Sequence, residues 1–203
     1  MEIYRAYKFR LYPNEGQKIL IHKTFGCARF VYNYYLNYQK EKGVQKTFDL
    51  CKDLKELENQ YEYLKEVDSC ALRSSIFDLE DGFNNFFAKR SGYPRFKSKF
   101  NRQSYRTSCV RGTYKEKEYS NIEVDLLTRN IKLPKLGKVK IRGFRNKDKI
   151  EGKILNATIS RESTNKYYVS VLVEEDILIE KIIPTTIVGI DLGIKDLVVT
   201  SDG

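Results

Sequence analysis

An acidic stretch near one end of the chain has the residue types for metal-assisted chemistry. Ile187, Val188 and Ile190 predict a buried strand, which ends at Asp191 and is followed by Gly193. Ligands gather at the carboxyl ends of strands in open α/β sheets, and a glycine there allows a tight turn beside the site. Asp191 is therefore the candidate metal ligand and catalytic residue.

A single aspartate is a poor magnesium site. Mg²⁺ needs octahedral oxygen ligands, and two-metal phosphoryl chemistry requires several carboxylates. Asp196 and Asp202 follow Asp191 in the sequence. Both stand in turn-like stretches, so turn formation is favoured for them over metal binding.

Positive charge is concentrated in one segment of this 203-residue chain, whose formal net charge is +10. Residues 89–150 contain nineteen Lys and Arg against five Asp and Glu, a balance of +14, whereas the remainder has a balance of −4. Basic residues interleaved with Tyr and Phe are typical of nucleic-acid binding, because cations neutralise phosphates and rings stack on bases. The alternative, a solvated basic surface, does not predict this concentration.

Other features exclude several classes of protein. None of the four cysteines stands in a Cys-x-x-Cys pair, so neither a zinc site nor a disulfide framework is predicted. His22 is the only histidine, which excludes a Ser-His-Asp triad. Without a membrane-length apolar run or a signal segment, the protein is expected to be cytoplasmic.

The first 42 residues predict a strand and a helix. Residues 3–12 alternate between apolar and polar side chains, with Lys8 and Arg10 on the polar face. Asn14 then begins a capping box for a helix over about 15–40.

Two further helices and a set of strands follow. Apolar stripes predict a helix after Thr47 and another from Asp68 to Gly92. Hairpins are predicted over 129–145 and 153–174. The first strand is expected to pair with these later strands, so that the helices form an insertion between them.

Strings along most of the chain, in order, resemble the TnpB family, the OrfB proteins of bacterial insertion sequences, which are similar to type V CRISPR effectors. The matching strings are "AYKFRLYPNEGQ" (6–17), "GCARFVYNYYL" (26–36), "LKEVDSCALRSSIFDLEDGFNNFF" (64–87), "GYPRFKSK" (92–99), "QSYRT" (103–107), "KLPKLGKVKIRG" (132–143), "YYVSVLVEE" (167–175) and "GIDLGIKDLVVTSDG" (189–203).

The resemblance implies an α+β fold with three parts. Residues 1–12 and 93–180 would form a wedge-type β-barrel, with a helical recognition lobe, 13–92, inserted in it. Residues 186–203 would form the first β-hairpin of a ribonuclease H-like RuvC nuclease domain, in which Asp191 binds Mg²⁺. The later RuvC carboxylates and the zinc element of the family have no counterpart here, so the chain is expected to be incomplete, with the missing RuvC remainder as a candidate partner.

The function implied is the recognition half of a transposon-encoded RNA-guided DNA endonuclease, which binds guide RNA and a short transposon-adjacent motif on double-stranded DNA. Two alternatives remain open: a nuclease-free RNA- or DNA-binding regulator or repressor, and a decayed fragment without a role. A gene sequence that continues into a RuvC remainder would favour the first function, and cooperative melting of the chain would argue against decay.

The resemblance also places the residues that read the DNA motif. Phe48, Lys52, Ser69, Arg73 and the stretch 103–107 match motif-reading positions, and Arg73 can donate two hydrogen bonds to guanine. An ion pair with Asp68 or Asp78 is the alternative for Arg73, and core packing is favoured for Phe48. The residues predicted to bind RNA or phosphate are Lys8, Arg10, Arg95, Lys97, Lys99, Arg102 and Arg106, with Tyr93, Phe96 and Tyr105 as stacking partners, although Phe96 also fits a core position.

We predict that the 203-residue chain does not cut DNA when Mg²⁺ and a guide RNA are supplied, because it brings one carboxylate to the expected place. Residues 187–200 would form a two-stranded ribbon, which is marginal without a further strand or helix, so Ile190 and Val199 should be partly exposed. A cleavage assay on labelled duplex checks this prediction. Guide-dependent cutting by this chain that disappears in Asp191→Ala would contradict it.

Overall fold

The computed structural model describes residues 1–114, 117–143, 150, 152–176, 188–191, 193 and 198–201. Its helices are α1 (Glu15–Lys42), α2 (Thr47–Gln60) and α3 (Ser69–Phe87), and a 3-10 helix covers Glu62–Glu66. Its strands are β1 (Glu2–Tyr12), β2 (Gln103–Ser108), β3 (Arg111–Tyr114), β4 (Lys117–Ser120), β5 (Glu123–Asp125), β6 (Asn130–Leu133), β7 (Gly137–Arg142), β8 (Lys153–Arg161), β9 (Tyr167–Asp176), β10 (Ile190–Asp191) and β11 (Val199–Thr200).

Seven strands form one antiparallel sheet in the order β2-β8-β9-β1-β7-β6-β5. The first strand lies inside this sheet, where Leu11 is opposite Tyr167 of β9 and Ile141 of β7. The expected pairing of the first strand with the later strands is therefore confirmed. The hairpins predicted over 129–145 and 153–174 are also present, as β6–β7 and β8–β9.

The two edge strands of the sheet, β2 and β5, are joined through the β3–β4 hairpin. Backbone and side-chain hydrogen bonds between Val110 and Asn121 close the base of this hairpin. The sheet is consequently curled, and the molecule has a mixed α and β architecture with the three helices inserted between β1 and β2.

Helix α1 contributes to two separate hydrophobic cores. Ile21, Phe25 and Ala28 pack with the buried side chains of the seven-stranded sheet. Val31 and Tyr35, further along the same helix, pack with the leucines of α2 and α3. One continuous helix thus connects the sheet core to the helical core. None of the helices in the described part of the chain is both long and apolar enough to cross a membrane.

The start of α1 is held by a capping box that also contacts the sheet. Asn14 Oδ1 accepts from the backbone nitrogen of Gln17 at 2.8 Å, and Gln17 Oε1 accepts from that of Asn14 at 3.0 Å, as predicted. The Gln17 amide nitrogen donates to the carbonyl oxygens of Leu136 (3.0 Å) and Lys138 (2.9 Å). The same glutamine therefore caps the helix and attaches it to the turn between β6 and β7.

Helix α3 ends five residues before the predicted Gly92. Its last residue is Phe87, and Lys89 adopts a positive φ of 57°. The left-handed residue that breaks the helix is thus a lysine, at a position where glycine is the usual choice. The chain from Arg90 to Arg102 forms neither helix nor strand and links α3 to β2.

Asp68 and Thr107 join the helical core to the sheet. Asp68, the N-cap of α3, accepts from the backbone nitrogen of Cys70 at 3.1 Å and from the Thr107 hydroxyl of β2. Both side chains belong to buried residues, with Asp68 8% and Thr107 1% exposed. A buried carboxylate is tolerated only when donors surround it, so the two elements are held in one relative position.

We predict that Thr107→Val lowers the free energy of unfolding by about 1–3 kcal/mol, because it removes the hydroxyl donor and leaves a buried carboxylate oxygen of Asp68 without its partner. Urea unfolding followed by circular dichroism measures the change. Thr113→Val, on exposed β3, is the matched control and should shift stability by less than about 0.5 kcal/mol. Equal effects of the two substitutions would show that the Asp68–Thr107 contact is not a stabilising joint.

Candidate nucleic-acid interface

Asp191 lies on a short ribbon formed by β10 and β11. Asp191 is opposite Val199, and the amide of Gly189 donates to the Ser201 hydroxyl at 2.8 Å. The predicted buried strand is wrong for Val188 and Ile190, which are 47% and 67% exposed, and Ile187 lies outside the described residues. The expected partial exposure of Ile190 and Val199 is confirmed. The physical reason is the one expected of a bare ribbon, since two strands alone do not cover each other's apolar side chains.

The described residues contain no cluster of three or more metal-ligating side chains. Asp196 and Asp202 lie outside the described residues, so their roles stay predictions. Asp191 itself is exposed at the end of β10. Asp191 is therefore not part of such a cluster within the described residues, and its role as a Mg²⁺ ligand stays a prediction.

The outward face of β1 and β7 is strongly basic. Phe9, Leu11, Val139 and Ile141 point into the sheet core, so alternation along each strand places the residues between them on the opposite face. Register places Arg10 opposite Arg142 and Tyr12 opposite Lys140. We call this face the outer strip, and its members are Lys8, Arg10, Tyr12, Lys138, Lys140 and Arg142.

Aromatic rings lie among the cations of the outer strip. The Arg10 and Arg142 guanidinium carbons are 4.9 and 5.5 Å from the centre of the Tyr12 ring. The Lys8 ammonium lies 4.6 Å from the centre of the Tyr168 ring on β9. Cation–π contacts of this kind hold rings and charges in one layer. A base can stack on such a ring while the flanking cations bind phosphates.

Arg10 and Arg142 face each other without a compensating anion in the described part of the chain. Like charges directly opposite on neighbouring strands are destabilising. By contrast, Lys132 on the adjacent strand β6 forms an ion pair with Glu123 at 2.8 Å. A phosphate placed between the two arginines would replace their repulsion by attraction.

The basic linker between α3 and β2 is attached to α1. The side-chain amide of Asn33 donates to the carbonyl of Lys97 (2.9 Å), and the Lys97 amide donates back to Asn33 Oδ1 (2.8 Å). The Lys97 ammonium lies 3.9 Å from the centre of the Tyr32 ring and 3.7 Å from Asp78. Partial burial lowers the pKa of Lys97, while Asp78 opposes that shift. Arg106 also binds Asp78, at 2.9 Å.

Lys8 lies 4.0 Å from Glu162, and Arg10 belongs to the outer strip. The predicted phosphate ligands of the linker and β2 fall into two groups. Lys97 and Arg106 share an internal carboxylate, whereas Arg95, Lys99 and Arg102 are exposed and form no ion pair among the described residues. Arg95, Lys99 and Arg102 can therefore bind a polyanion without first breaking an ion pair within the described part of the protein.

The aromatic residues predicted to stack differ in accessibility. Tyr93 and Phe96 are exposed, and the Lys40 ammonium lies 4.4 Å from the centre of the Phe96 ring, so Phe96 is not a core residue. The prediction for Tyr105 is wrong. Tyr105 is buried against Phe25, with ring centres 5.7 Å apart, and burial raises its pKa. Strand alternation directs its ring inward, where no base can reach it.

The four predicted motif-reading side chains are all exposed on α2 and α3. Phe48 is 70% exposed beneath the Lys52 ammonium, which is 4.5 Å from its ring centre, so core packing of Phe48 is wrong. Ser69 is the first residue of α3. Arg73 makes a 3.7 Å contact with the Cys70 sulfur and pairs with neither alternative aspartate, since Asp68 and Asp78 are bound elsewhere.

Sequence reasoning missed much of the outer strip. Tyr12 was not predicted to take part, and Lys138, Lys140 and Arg142 were included only as part of the basic segment 89–150 and not as individual ligands. The signal was present in "GKVKIRG" (137–143), where apolar and basic residues alternate as they do in β1. Only the register between β1 and β7 shows that the two basic faces are one surface.

The first part of the chain matches a known family model, and curated relatives match all of it. The family model HTH_OrfB_IS605, described as a helix-turn-helix domain, matches residues 1–43. In this structure that segment is a strand followed by one helix. "Putative RNA-guided DNA endonuclease InsQ" of Escherichia coli (strain K12) is 31% identical over 210 residues, which is all of this chain and 48% of the relative.

A second relative, "Putative RNA-guided DNA endonuclease" of Streptomyces pristinaespiralis, is 33% identical over 213 residues, all of this chain and 49% of the relative. The chain thus spans about half the length of these curated relatives. Among solved structures, a cryo-EM structure of a CRISPR-Cas12f ternary complex aligns with a TM-score of 0.45 and 16% identity, over 91% of this chain and 46% of that chain.

We predict that Arg10→Gln and Arg142→Gln each weaken binding to duplex DNA while leaving stability unchanged or slightly raised. Each should reduce the slope of log K against log salt by about 0.9 for every phosphate that the substituted side chain no longer neutralises. Removing one of two facing like charges should not destabilise the sheet. Fluorescence anisotropy over a salt series and urea unfolding provide the two readouts.

Lys153→Gln is the control for this pair, because Lys153 is engaged with Glu174 at 3.3 Å and lies outside the outer strip. Its salt slope should match that of the parent. A slope that changes equally in all three variants would mean that the outer strip has no special part in binding.

Proposed function

Because the chain belongs to the TnpB family, the OrfB proteins of insertion sequences, we propose that it is the recognition part of an RNA-guided DNA endonuclease. In this role it binds guide RNA and a short DNA motif beside the transposon end. The observation that carries the proposal is the outer strip. Its cations and rings form one surface across two strands, and its two arginines have no ion-pair partner among the described residues.

The spacing of the outer strip suits a nucleic-acid backbone. Lys138, Lys140 and Arg142 alternate with buried residues along β7, so neighbouring cations are about 7 Å apart. A row of cations at this spacing binds phosphates irrespective of sequence, and phosphate contacts position a nucleic acid without specifying it. We therefore assign the outer strip to the backbone of guide RNA or of duplex DNA.

Sequence specificity is assigned to the exposed face of α2 and α3. Arg73 offers a guanidinium that is not held by a carboxylate in the described part of the chain, so both of its donor pairs can reach guanine O6 and N7. Lys52 and Ser69 would contact the duplex beside it, and Phe48 presents an exposed ring suited to a thymine methyl group.

The nuclease role of the complete protein rests on Asp191. This carboxylate would be one of the oxygen ligands of Mg²⁺, whose chemistry in such sites is to activate a nucleophile and stabilise the leaving oxygen. Since the described residues hold one such carboxylate, the role proposed for this chain is recognition.

Selection from a randomised duplex library tests the proposal. The chain is loaded with RNA transcribed from its own transposon end, and bound duplexes are sequenced. One short enriched motif is expected, whereas enrichment of none would contradict the proposed function. A bare basic surface would bind all duplexes alike, with strong salt dependence but no preference.

We predict that Arg73→Ala changes the enriched motif at one base pair and costs roughly 1–3 kcal/mol there. Arg95→Ala is the matched control, because an exposed linker arginine that binds phosphate should weaken all duplexes uniformly. Titration of single-base variants of the selected duplex measures both effects. A uniform loss in Arg73→Ala would make Arg73 a phosphate contact and remove it from motif reading.

A further inference from the structure

A cavity of about 230 Å³ lies where α1, α3 and the basic linker meet the start of β2. It is smaller than the roughly 300–1,000 Å³ of pockets that hold drug-sized ligands, so it suits a small chemical group. Its charged and amide-bearing walls include Arg29, Asp78, Lys97, Arg102, Gln103 and Arg106.

The cavity has an excess of positive charge that its own residues do not neutralise. Four cations and one carboxylate line it. The carboxylate of Asp78 is already shared between Arg106 at 2.9 Å and Lys97 at 3.7 Å. Within the described residues Arg29 and Arg102 have no carboxylate partner, so two guanidinium groups remain for a ligand.

These walls are held in place by hydrogen bonds within the protein. Arg29 Nη1 donates to Gln103 Oε1 at 3.0 Å, and Gln103 Nε2 donates to the carbonyls of Lys99 (2.9 Å) and Asn101 (2.6 Å). The Asn33–Lys97 pair fixes the other side of the linker. Because this arrangement exists before a ligand arrives, little side-chain ordering opposes binding.

We propose that this cavity binds one phosphodiester group of a nucleic acid, with Arg29 and Arg102 donating to its two free oxygens. A guanidinium presents paired N–H donors that match such oxygens. Asp78 keeps Lys97 and Arg106 on the wall as further positive charge. The inference rests on the proposed function, since the phosphate would belong to guide RNA or duplex DNA. It adds a single seated phosphate, and with it a fixed register between backbone and protein.

Inorganic phosphate is the first probe, because it tests the cavity without any nucleic acid. A ligand that binds only the folded state raises the Tm. Phosphate also stabilises proteins by exclusion from their surface, so Tm in phosphate is compared with Tm in chloride at equal ionic strength for each variant. The parent and Lys153→Gln should show the larger phosphate shift, whereas Arg29→Gln and Arg102→Gln should lose the excess.

Salt titrations with nucleic acid form the second test and identify the source of the phosphate. Duplex DNA and the structured transposon-end RNA are titrated separately against Arg29→Gln, Arg102→Gln and the double variant. If both arginines hold one phosphate, the double change lowers the slope by the equivalent of that one phosphate, about 0.9 for duplex DNA and about 0.7 where the RNA is single-stranded, and neither single change exceeds this value. The titration in which the slope changes, with duplex DNA or with RNA, identifies the nucleic acid that supplies the phosphate.

The outcomes separate the cavity from the proposed function. Equal phosphate shifts in the parent and in both arginine variants overturn the inference, even if nucleic-acid binding is tight. A slope reduction in the double variant that is equivalent to two phosphates also overturns it, because the arginines then hold different phosphates. The Tm shift in phosphate could disappear in the arginine variants although the parent chain binds no nucleic acid. That result would support the cavity as a phosphate site and contradict the proposed function.

Discussion

The structure depends on one helix being shared by two hydrophobic cores. At 28 residues, α1 is about 42 Å long, enough for its first half to cover the sheet and its second half to pack with α2 and α3. Arg29 and Asn33 lie one turn apart on this helix and bind Gln103 and Lys97 of the linker region. The position of the basic linker is therefore a consequence of how α1 is buried.

A second constraint is the alternation of side chains in the sheet. The apolar residues of β1 and β7 are needed in the core, which leaves their basic residues on a common outward face. Close approach of Arg10 and Arg142 follows from backbone register. The inner face of these two strands therefore contributes to stability, and the outer face is the one proposed to bind nucleic acid.

The local elements were predictable because their signals are local. The Asn14 and Gln17 capping box, the alternation of residues 3–12 and the turn between β6 and β7 each depend on a few neighbouring residues. The candidate site was predictable only in part. Tyr105 stands beside basic residues in sequence, yet it faces Phe25 in the core. Phe48 has a core residue's chemistry, yet it is exposed beneath Lys52. The exposure of such a residue depends on which strands pair beside it or on how its helix is rotated. A single sequence segment predicts neither.

The central place of β1 has a consequence for how the chain folds. Its partner β9 pairs Asp176 with Glu2 and Tyr167 with Leu11, so residues 2–11 must wait for residues 167–176, which follow much later in the chain. Until β9 leaves the ribosome, the hydrogen-bonding edge of β1 that pairs with β9 is open, a state prone to aggregation. Contacts this far apart in sequence also slow folding. The helices between β1 and β2 can assemble first, and their core then holds β1 near the strands that follow.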